Sequence, residues 1–327
     1  MLLNNKIVIS SFKEEKVKVC NGVAVGDKFL AIISGENHCV YFLDKITHNE
    51  IKKIGHYGSK HNGFKIPVAI SFNSGIFYIA DWGNHRVVTI KEDSFEVNKY
   101  GRFKDFEKGK FINYIYYMKS LGINYTYRNK LINKVMKFFS IIRLENIKKI
   151  LNYNKSKIYF KKPDGFAFTE NSIFISQHYN HCITKCDKNL NLIQYFGKNG
   201  KQVSEFNRPS NMTIHENLLY ISDSHNSRIC VYDLDFNFIK YIYGVESTLE
   251  NRFFPFGLKF LNENLLVICG MELIQIYNIR TDEVIETIRD DYNQLHGADI
   301  DYENNKIYFA DRMNHRVVVY DIEKKGL

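Results

Sequence analysis

The sequence predicts an all-β protein, a six-bladed β-propeller interrupted by one helical insert. Three observations support this fold class: strand-forming composition, a fixed repeat spacing and six copies of one repeat. Apolar residues make up 45% of the 327 residues, and the 22 Tyr and 25 Phe suit strands. Three of the four prolines, Pro163, Pro209 and Pro255, are spaced by 46 residues, which indicates a structural repeat.

Each copy of the repeat reads as two short strands joined by a polar turn, a tight Asn-containing turn and a third strand. A fourth strand follows. The six copies begin at Asn21, Pro67, Pro163, Pro209, Pro255 and His296. The copy from Pro67, for example, reads PVAISFNSGIFYIADWGNHRVVTI. Four-stranded units of this length cannot bury both faces alone, so we expect them to stack radially around a central channel.

The two ends of the sequence predict how the ring closes. The last copy stops after its third strand at Tyr320, and an extra strand, KIVISSF from Lys6, precedes the first copy. We therefore expect the N-terminal strand to complete the last blade. The domain organisation that follows has residues 1–103 as the closing strand and blades 1 and 2, residues 104–162 as the insert, and residues 163–327 as blades 3 to 6.

The tight turn after the second strand carries the most specific motif. In three copies, IADWGNHRVV, ISDSHNSRIC and FADRMNHRVV, an Asp is followed three residues later by Asn and then by Arg. This pattern resembles the NHL repeat family. We expect Asp81, Asp223 and Asp311 to form charge-assisted hydrogen bonds with Arg86, Arg228 and Arg316. The Asn between them suits a left-handed turn or a side-chain to backbone bond.

Three copies depart from this motif. Ser34 and Gln177 replace the Asp in the first and third copies, and the fifth copy, ICGMELIQ, lacks Asp, Asn and Arg, which leaves the geometry of its blade open. A His recurs in the same column as His38, His85, His181 and His315. A position that recurs in several blades indicates a scaffold role, so we do not expect these imidazoles to bind metal.

Candidate functional residues fall where the copies differ. The residue that opens each innermost strand is expected to face the channel mouth, the end of the channel where these strands begin. These positions hold Asn21, Val68, Asp164, Ser210, Phe256 and His296, with Asn211 adjacent. The tight turns add a second ring at the same end, with Trp82, His178, Ser224, His225, Arg312 and Met313. Ligand-binding residues are therefore expected at Asn21, Ser210, Asn211, Trp82, His178 and His225.

An enzymatic alternative comes from a resemblance to NHL-like lyases such as the peptide-amidating lyase. In these enzymes, His residues near the channel mouth hold a metal, and an Arg and a Tyr assist elimination. The resemblance implies His296, Asp164 and Arg312 as catalytic residues. It also implies a divalent metal, Zn or Ca, held in the channel by His296, His178 and His225.

Sugar-lactone hydrolases and strictosidine synthases offer a second comparison. These six-bladed propellers hold a central cation with Glu, Asn, Asn and Asp. The corresponding columns here supply Asn21, Asp164 and Asn211 but no Glu, which weakens the case for a hydrolase. The other interpretation of Asp164, Asn21 and His296 is that they hydrate a water-filled channel.

The insert carries the positive charge of the protein. From Lys104 to Lys162 there are 15 Lys and Arg against three acids, whereas the rest of the chain has 30 Lys and Arg against 33 Asp and Glu. Apolar residues recur every three or four positions, which predicts two amphipathic helices broken at Gly122. Basic residues flank the apolar stripe at Lys130, Lys134, Lys137 and Arg143.

These observations lead to a binding hypothesis. The channel-mouth face and the basic insert would recognise an anionic partner, with three alternatives: a phosphorylated or lipid-linked glycan, a membrane surface contacted peripherally, or RNA. An insert that packs as a lid over the propeller face is a further alternative. The competing hypothesis is the metal-assisted lyase or hydrolase. The sequence contains no nucleotide-binding loop of the GxxxxGK[ST] or GxGxxG type.

Cysteine spacing and hydropathy indicate the cellular location. Six scattered cysteines lack the CxxC spacing of a zinc site and are expected to be reduced and buried. The N-terminus lacks the pattern of a signal peptide, and no stretch is long and apolar enough to span a membrane. The expected location is cytoplasmic, with membrane-peripheral association as the alternative.

Overall fold

The structure, a computed structural model, describes residues 2–9, 11, 12, 15–101, 160–244 and 254–323. These residues form six antiparallel sheets of four strands each, together with two short two-stranded pairings. The innermost strands of successive sheets contact one another in a closed ring, and the sixth contacts the first. The predicted six-bladed β-propeller is therefore confirmed.

Strands are grouped by their position in the blade, from the channel outwards and from blade 1 to blade 6. The innermost strands are Cys20–Val25, Pro67–Asn73, Pro163–Phe168, Pro209–His215, Leu258–Phe260 and Leu295–Asp301. The second strands are Phe29–Ser34, Ile76–Asp81, Ser172–Gln177, Leu218–Asp223, Leu265–Cys269 and Lys306–Asp311. The third strands are Cys39–Asp44, Arg86–Lys91, Cys182–Asp187, Arg228–Asp233, Leu273–Asn278 and Arg316–Ile322. The outermost strands are Glu50–Ile54, Val97–Tyr100, Leu192–Phe196, Phe238–Ile242, Glu283–Arg289 and Leu3–Ile9.

The remaining elements are short. Ser11–Phe12 pairs with Glu15–Lys16, and Lys198–Asn199 pairs in parallel with Glu205–Phe206. Single turns of 3-10 helix at Trp82–Asn84 and Ser224–Asn226 follow the second strands of blades 2 and 4.

The N-terminal strand closes the ring, as predicted. It pairs antiparallel with the third strand of blade 6, with Val8 opposite Val318. It begins at Leu3, earlier than the sequence pattern indicated, because the Leu3 side chain is fully buried in the core between blades 5 and 6. Both ends of the chain therefore contribute to one sheet.

The hydrophobic core is divided into six clusters, each lying between two neighbouring blades. Strand side chains alternate between the two faces of their sheet, so every blade contributes to two clusters. All six cysteines are buried and free of disulfides, as expected.

The Asp and Arg of the NHL-like motif are paired in all three blades that carry both. The Nε atom of Arg86 donates to Asp81 Oδ2 over 2.7 Å, and equivalent bonds of 2.8 and 2.7 Å join Arg228 to Asp223 and Arg316 to Asp311. The intervening Asn donates to the same carboxylate and to a backbone oxygen on the preceding loop. The expected hydrogen bonds are confirmed.

The recurrent histidines join neighbouring blades. The left-handed residue of the turn is the His itself, one position after the Asn, with φ between 54° and 57°. In this conformation Nδ1 accepts a backbone N–H from the start of the next blade. The four bonds are Ile66 to His38 at 3.1 Å, Lys162 to His85 at 3.3 Å, Arg208 to His181 at 3.1 Å and Val19 to His315 at 2.8 Å. The column therefore has a scaffold role.

Blade 5, whose copy lacks the motif, still has four strands. Its innermost strand is reduced to Leu258–Phe260. Without the His that links the other blades, the backbone oxygens of Gly270 and Met271 accept bonds from Leu295 and Gln294 at the start of blade 6. Backbone groups therefore replace the side-chain link at this boundary.

The predicted helical insert lies almost entirely in residues 102–159, outside the described part of the chain. The same holds for Lys130, Lys134, Lys137 and Arg143. Within the described residues, no helix is both long and apolar enough to cross a bilayer.

Candidate functional site

The innermost strands of all six blades line a central cavity of about 250 Å³. Close approach of neighbouring strands narrows this cavity near the channel mouth. A Cβ atom on Gly165 would lie 2.6 Å from the carbonyl oxygen of Ser210, so only glycine fits there. The close approach of blades 3 and 4 fixes the positions of Asp164 and Ser210 in the cavity wall.

Asp164 and His296 face each other across the mouth. Asp164 opens the innermost strand of blade 3 and is 3% exposed, and His296 lies in that of blade 6 and is 8% exposed. The distance from Asp164 Oδ1 to His296 Nε2 is 3.8 Å, too long for a hydrogen bond. The other imidazole nitrogen, Nδ1, lies 3.0 Å from the backbone oxygen of Asn21. It must donate there, so in the neutral ring Nε2 is left as an acceptor.

The second carboxylate oxygen of Asp164 is held by His178. His178 Nδ1 lies 3.1 Å from Asp164 Oδ2. Burial alone would raise the pKa of Asp164, but the bond from His178 and the nearby positive charges outweigh it and hold the pKa below its usual value. Burial lowers the pKa of His296, despite the opposing charge of Asp164. At neutral pH the site thus holds a carboxylate beside a neutral imidazole.

Arg312 supplies a buried positive charge to the same site. It lies in the tight turn of blade 6, and one terminal nitrogen donates to Gln294 Oε1 over 3.1 Å. Burial lowers its pKa, and the charge of Asp164 opposes this effect. A guanidinium remains protonated in this setting. Its Nε is buried and has no hydrogen-bond partner in the protein.

His225 lies beside His178 but faces a different partner. The two rings are 6.1 Å apart and nearly perpendicular. His225 Nε2 contacts a terminal nitrogen of Arg208 at 3.1 Å. Burial and the charge of Arg208 lower the pKa of His225 to about 4.

These contacts test the predicted metal ligands geometrically. His178 is engaged with Asp164 and His225 with Arg208, whereas His296 presents Nε2 to the cavity. His178 and His296 thus face the two oxygens of one carboxylate, whereas His225 faces Arg208. In the described part of the chain, no cluster of three or more His, Cys, Asp or Glu side chains could hold a metal ion.

The tryptophan of the sequence, Trp82, lies at the same end of the propeller. Lys162 Nζ lies 3.3 Å from the centroid of the Trp82 ring, in cation–π contact. Burial and the charge of Lys65 lower the pKa of Lys162 to about 8. Tyr179 packs edge-on against the indole and contacts Arg208 through its face.

The remaining predicted residues also lie at the mouth. Asn21 donates through Nδ2 to the Pro67 oxygen over 2.7 Å, and Asn211 Oδ1 accepts from its neighbour Met212. Several buried polar atoms without a protein partner lie in this region, namely Asn21 Oδ1, Asp164 Oδ1, Ser210 Oγ, His225 Nδ1 and Arg312 Nε. Others, such as Tyr241 Oη and Asn264 Oδ1, lie elsewhere in the described residues. Since buried polar groups normally have a partner, the group indicates a ligand site.

Sequence reasoning missed Lys162, Arg208 and Gln294. Lys162 and Arg208 each precede a blade-opening proline, and all three have positive φ. The sequence did contain a signal for Lys162 and Arg208, because these basic residues occupy one column of the repeat alignment, directly before Pro163 and Pro209. The bond from Gln294 to Arg312 joins two segments of blade 6 and has no such signal.

Comparison with known proteins supports the fold. No protein-family model matches the chain, and no curated protein matches it in sequence. A solved streptogramin B lyase structure is similar with a TM-score of 0.57 and 11% identity, covering 98% of this chain and 89% of that one. The chain is a six-bladed β-propeller. A computationally designed protein, Ika8, has a TM-score of 0.46 and 9% identity, covering 93% of this chain and 71% of that one.

Proposed function

We propose that this chain is an NHL-type propeller whose channel mouth binds a ligand with a negatively charged group. The observation that carries the proposal is a set of cations without counter-charge. Among the described residues, Lys162, Arg208 and Arg312 have no carboxylate oxygen within 4.0 Å. A partly desolvated cation without a carboxylate partner is unfavourable, so a bound anion would stabilise the cations that it contacts.

The basic insert supports the same proposal through its charge and its attachment. A Cβ atom on Gly101 would lie 3.1 Å from the Phe160 ring, so the chain leaves blade 2 and returns to blade 3 at one place beside Lys162. The sequence between these two points, from Lys104 to Lys162, carries 15 basic residues. We propose that their charge attracts the anion to this end of the channel.

A small ligand is favoured over an extended one. The unpartnered polar atoms of Asp164, Ser210 and Asn21 belong to residues that line the central cavity. A nucleic acid or a membrane surface would contact the outer rim and leave these atoms without partners. RNA and membrane contact are therefore the less supported forms of the binding hypothesis.

The metal-assisted lyase or hydrolase has less support than binding. One ring nitrogen of His178 contacts Asp164 and one of His225 contacts Arg208, and the described residues contain no cluster of three or more His, Cys, Asp or Glu that could hold a metal ion. The similarity to the streptogramin B lyase structure, at 11% identity, supports the fold and no particular reaction.

The fluorescence of Trp82 provides the test, because the sequence has a single tryptophan. The full-length protein would be titrated with ethyl phosphate at low ionic strength. We expect a saturable change in emission, because an anion beside Lys162 alters the cation–π contact with the indole. Added salt should weaken this binding.

Variants locate the binding site. Arg312→Gln and Arg208→Gln should each weaken the binding of ethyl phosphate by about tenfold, because each removes one charge-assisted hydrogen bond. Lys91→Gln removes a cation that pairs with Glu96 on the solvent-exposed part of blade 2 and should leave affinity unchanged. Binding that survives both arginine substitutions but is lost when Lys134 and Lys137 are replaced by Gln would move the site away from the channel mouth and overturn the proposal.

A further inference from the structure

We infer that the ligand is a primary amine that also carries the anionic group, with its ammonium seated between Asp164 and His296. The inference rests on the proposed function for the anionic group alone. The ammonium subsite is supported by separate observations at the innermost strands of blades 3 and 6.

The two facing atoms are both acceptors. Asp164 Oδ1 is buried with no hydrogen-bond partner in the protein, and His296 Nε2 is an acceptor because Nδ1 donates to the Asn21 backbone oxygen. Their separation of 3.8 Å lets one donor atom, lying to the side of the line that joins them, reach both. The arrangement therefore suits a group that donates in two directions.

The geometry selects the kind of donor. For a donor atom about 2.8 Å from each acceptor, the acceptor–donor–acceptor angle would be about 85°, given the 3.8 Å separation of the two acceptors. A hydroxyl group has one proton and can satisfy only one of the two atoms. A primary ammonium has three, and the third can reach an unpartnered oxygen of the same cavity wall, Asn21 Oδ1 or Ser210 Oγ.

Charge favours the same group. Asp164 is the acidic residue that lines this end of the cavity, and its partner His178 neutralises one oxygen by a hydrogen bond. An ammonium at the other oxygen completes a charge-assisted pair. Arg312, close enough to influence both Asp164 and His296, then faces the anionic end of the ligand. A zwitterion satisfies both charges of the site at once.

The test compares four soluble probes by calorimetry: O-phosphoethanolamine, phosphocholine, ethyl phosphate and ethanolamine. O-phosphoethanolamine should bind most tightly. Phosphocholine keeps both charges but has methyl groups in place of N–H donors, so it should bind at least about tenfold more weakly. Equal affinity for O-phosphoethanolamine, phosphocholine and ethyl phosphate would overturn the ammonium subsite.

Variants test whether Asp164 and His296 cause the preference for O-phosphoethanolamine over ethyl phosphate. Asp164→Asn removes the charge while an amide oxygen can still accept from His178, and it should abolish the preference for O-phosphoethanolamine over ethyl phosphate. His296→Phe, which can still stack on Phe256, should do the same. His215→Phe changes a histidine that stacks on Phe260 at the far end of the innermost strand of blade 4 and should keep the preference. A preference retained in both site variants would overturn the inference.

The experiments can disprove the anion site and the ammonium subsite independently. If ethyl phosphate binding depends on Arg312 but the amine adds nothing, the ammonium subsite fails and the anion site stands. If amine preference depends on Asp164 but binding is indifferent to Arg312 and Arg208, the anion site fails. Sedimentation with phosphatidylcholine vesicles, with and without phosphatidylethanolamine, separates a lipid headgroup from a free aminoalkyl phosphate as the source of this chemistry.

Discussion

The imidazole of His315, in the last blade, accepts a hydrogen bond of 2.8 Å from the backbone N–H of Val19, at the start of the first. The same bond joins three other pairs of neighbouring blades, through His38, His85 and His181. Each requires an unprotonated Nδ1, because a protonated nitrogen cannot accept. The ring is therefore held partly by hydrogen bonds that protonation of an imidazole would break.

We expect the propeller to lose stability in mild acid. Burial lowers the pKa of His38 and His181 in the folded state. The unfolded chain then binds more protons, so stability is complete above about pH 6.5 and declines as pH falls toward the folded values. The free energy of unfolding in urea at pH 7.5 and 5.0 should differ by about 1 kcal/mol for each bond lost.

The double variant His38→Asn and His181→Asn is the matched comparison. Asn tolerates the left-handed backbone of these positions but does not titrate. Its unfolding free energy should vary less between pH 7.5 and 5.0 than that of the wild type. An identical pH dependence in the two proteins would contradict a role for these imidazoles.

Closure by the N-terminal strand predicts a contrast between two aliphatic residues of that strand. Leu3 is fully buried and Ile7 is 44% exposed. Leu3→Ala should cost about 2–5 kcal/mol, as in other core truncations, and Ile7→Ala less than about 1 kcal/mol. Urea unfolding measures both, and similar losses would mean that the strand does not seal blade 6 as described.

The buried Asp–Arg pair of blade 2 predicts a large loss when one partner is removed. Arg86→Met leaves Asp81, whose side chain is fully buried, without its cation. The expected cost is about 3–5 kcal/mol of unfolding free energy. The exposed pair of Lys91 and Glu96 in the same blade is the control, and Lys91→Met should leave the unfolding free energy nearly unchanged. Equal effects would contradict the structural role of the motif.

Two glycines in the channel wall differ in the space available for a side chain. A Cβ on Gly165 would lie 2.6 Å from the Ser210 oxygen, whereas on Gly297 the nearest atom is 3.9 Å away. Gly165→Ala should destabilise by about 1–3 kcal/mol and displace Asp164. Gly297→Ala should change stability by under about 0.5 kcal/mol. Thermal unfolding of the two variants, with ligand binding as a second measurement, tests the contrast.

The repeat made much of the architecture predictable. The six aligned copies predicted the six blades. The Asp, Asn and Arg of three copies predicted the pairing of Asp81 with Arg86, because a local turn motif needs only neighbouring residues. Alignment of the copies also placed Asn21, Asp164, Ser210 and His296 in one column, and the structure brings all four to the channel wall. The left-handed position was predicted less well, since it falls on the His and not on the Asn.

The sequence by itself determined the number of blades, their order and the strand that closes the ring, because these follow from a repeated hydrophobic and turn pattern. Only the tertiary structure decided that His296 Nε2 and His178 Nδ1 face the two carboxylate oxygens of Asp164, at 3.8 and 3.1 Å, while His225 faces Arg208. The physical reason is that the repeat fixes the backbone of each blade separately. The separation of two side chains across the channel depends on how closely the blades approach, and contacts such as that between Gly165 and Ser210 set this distance.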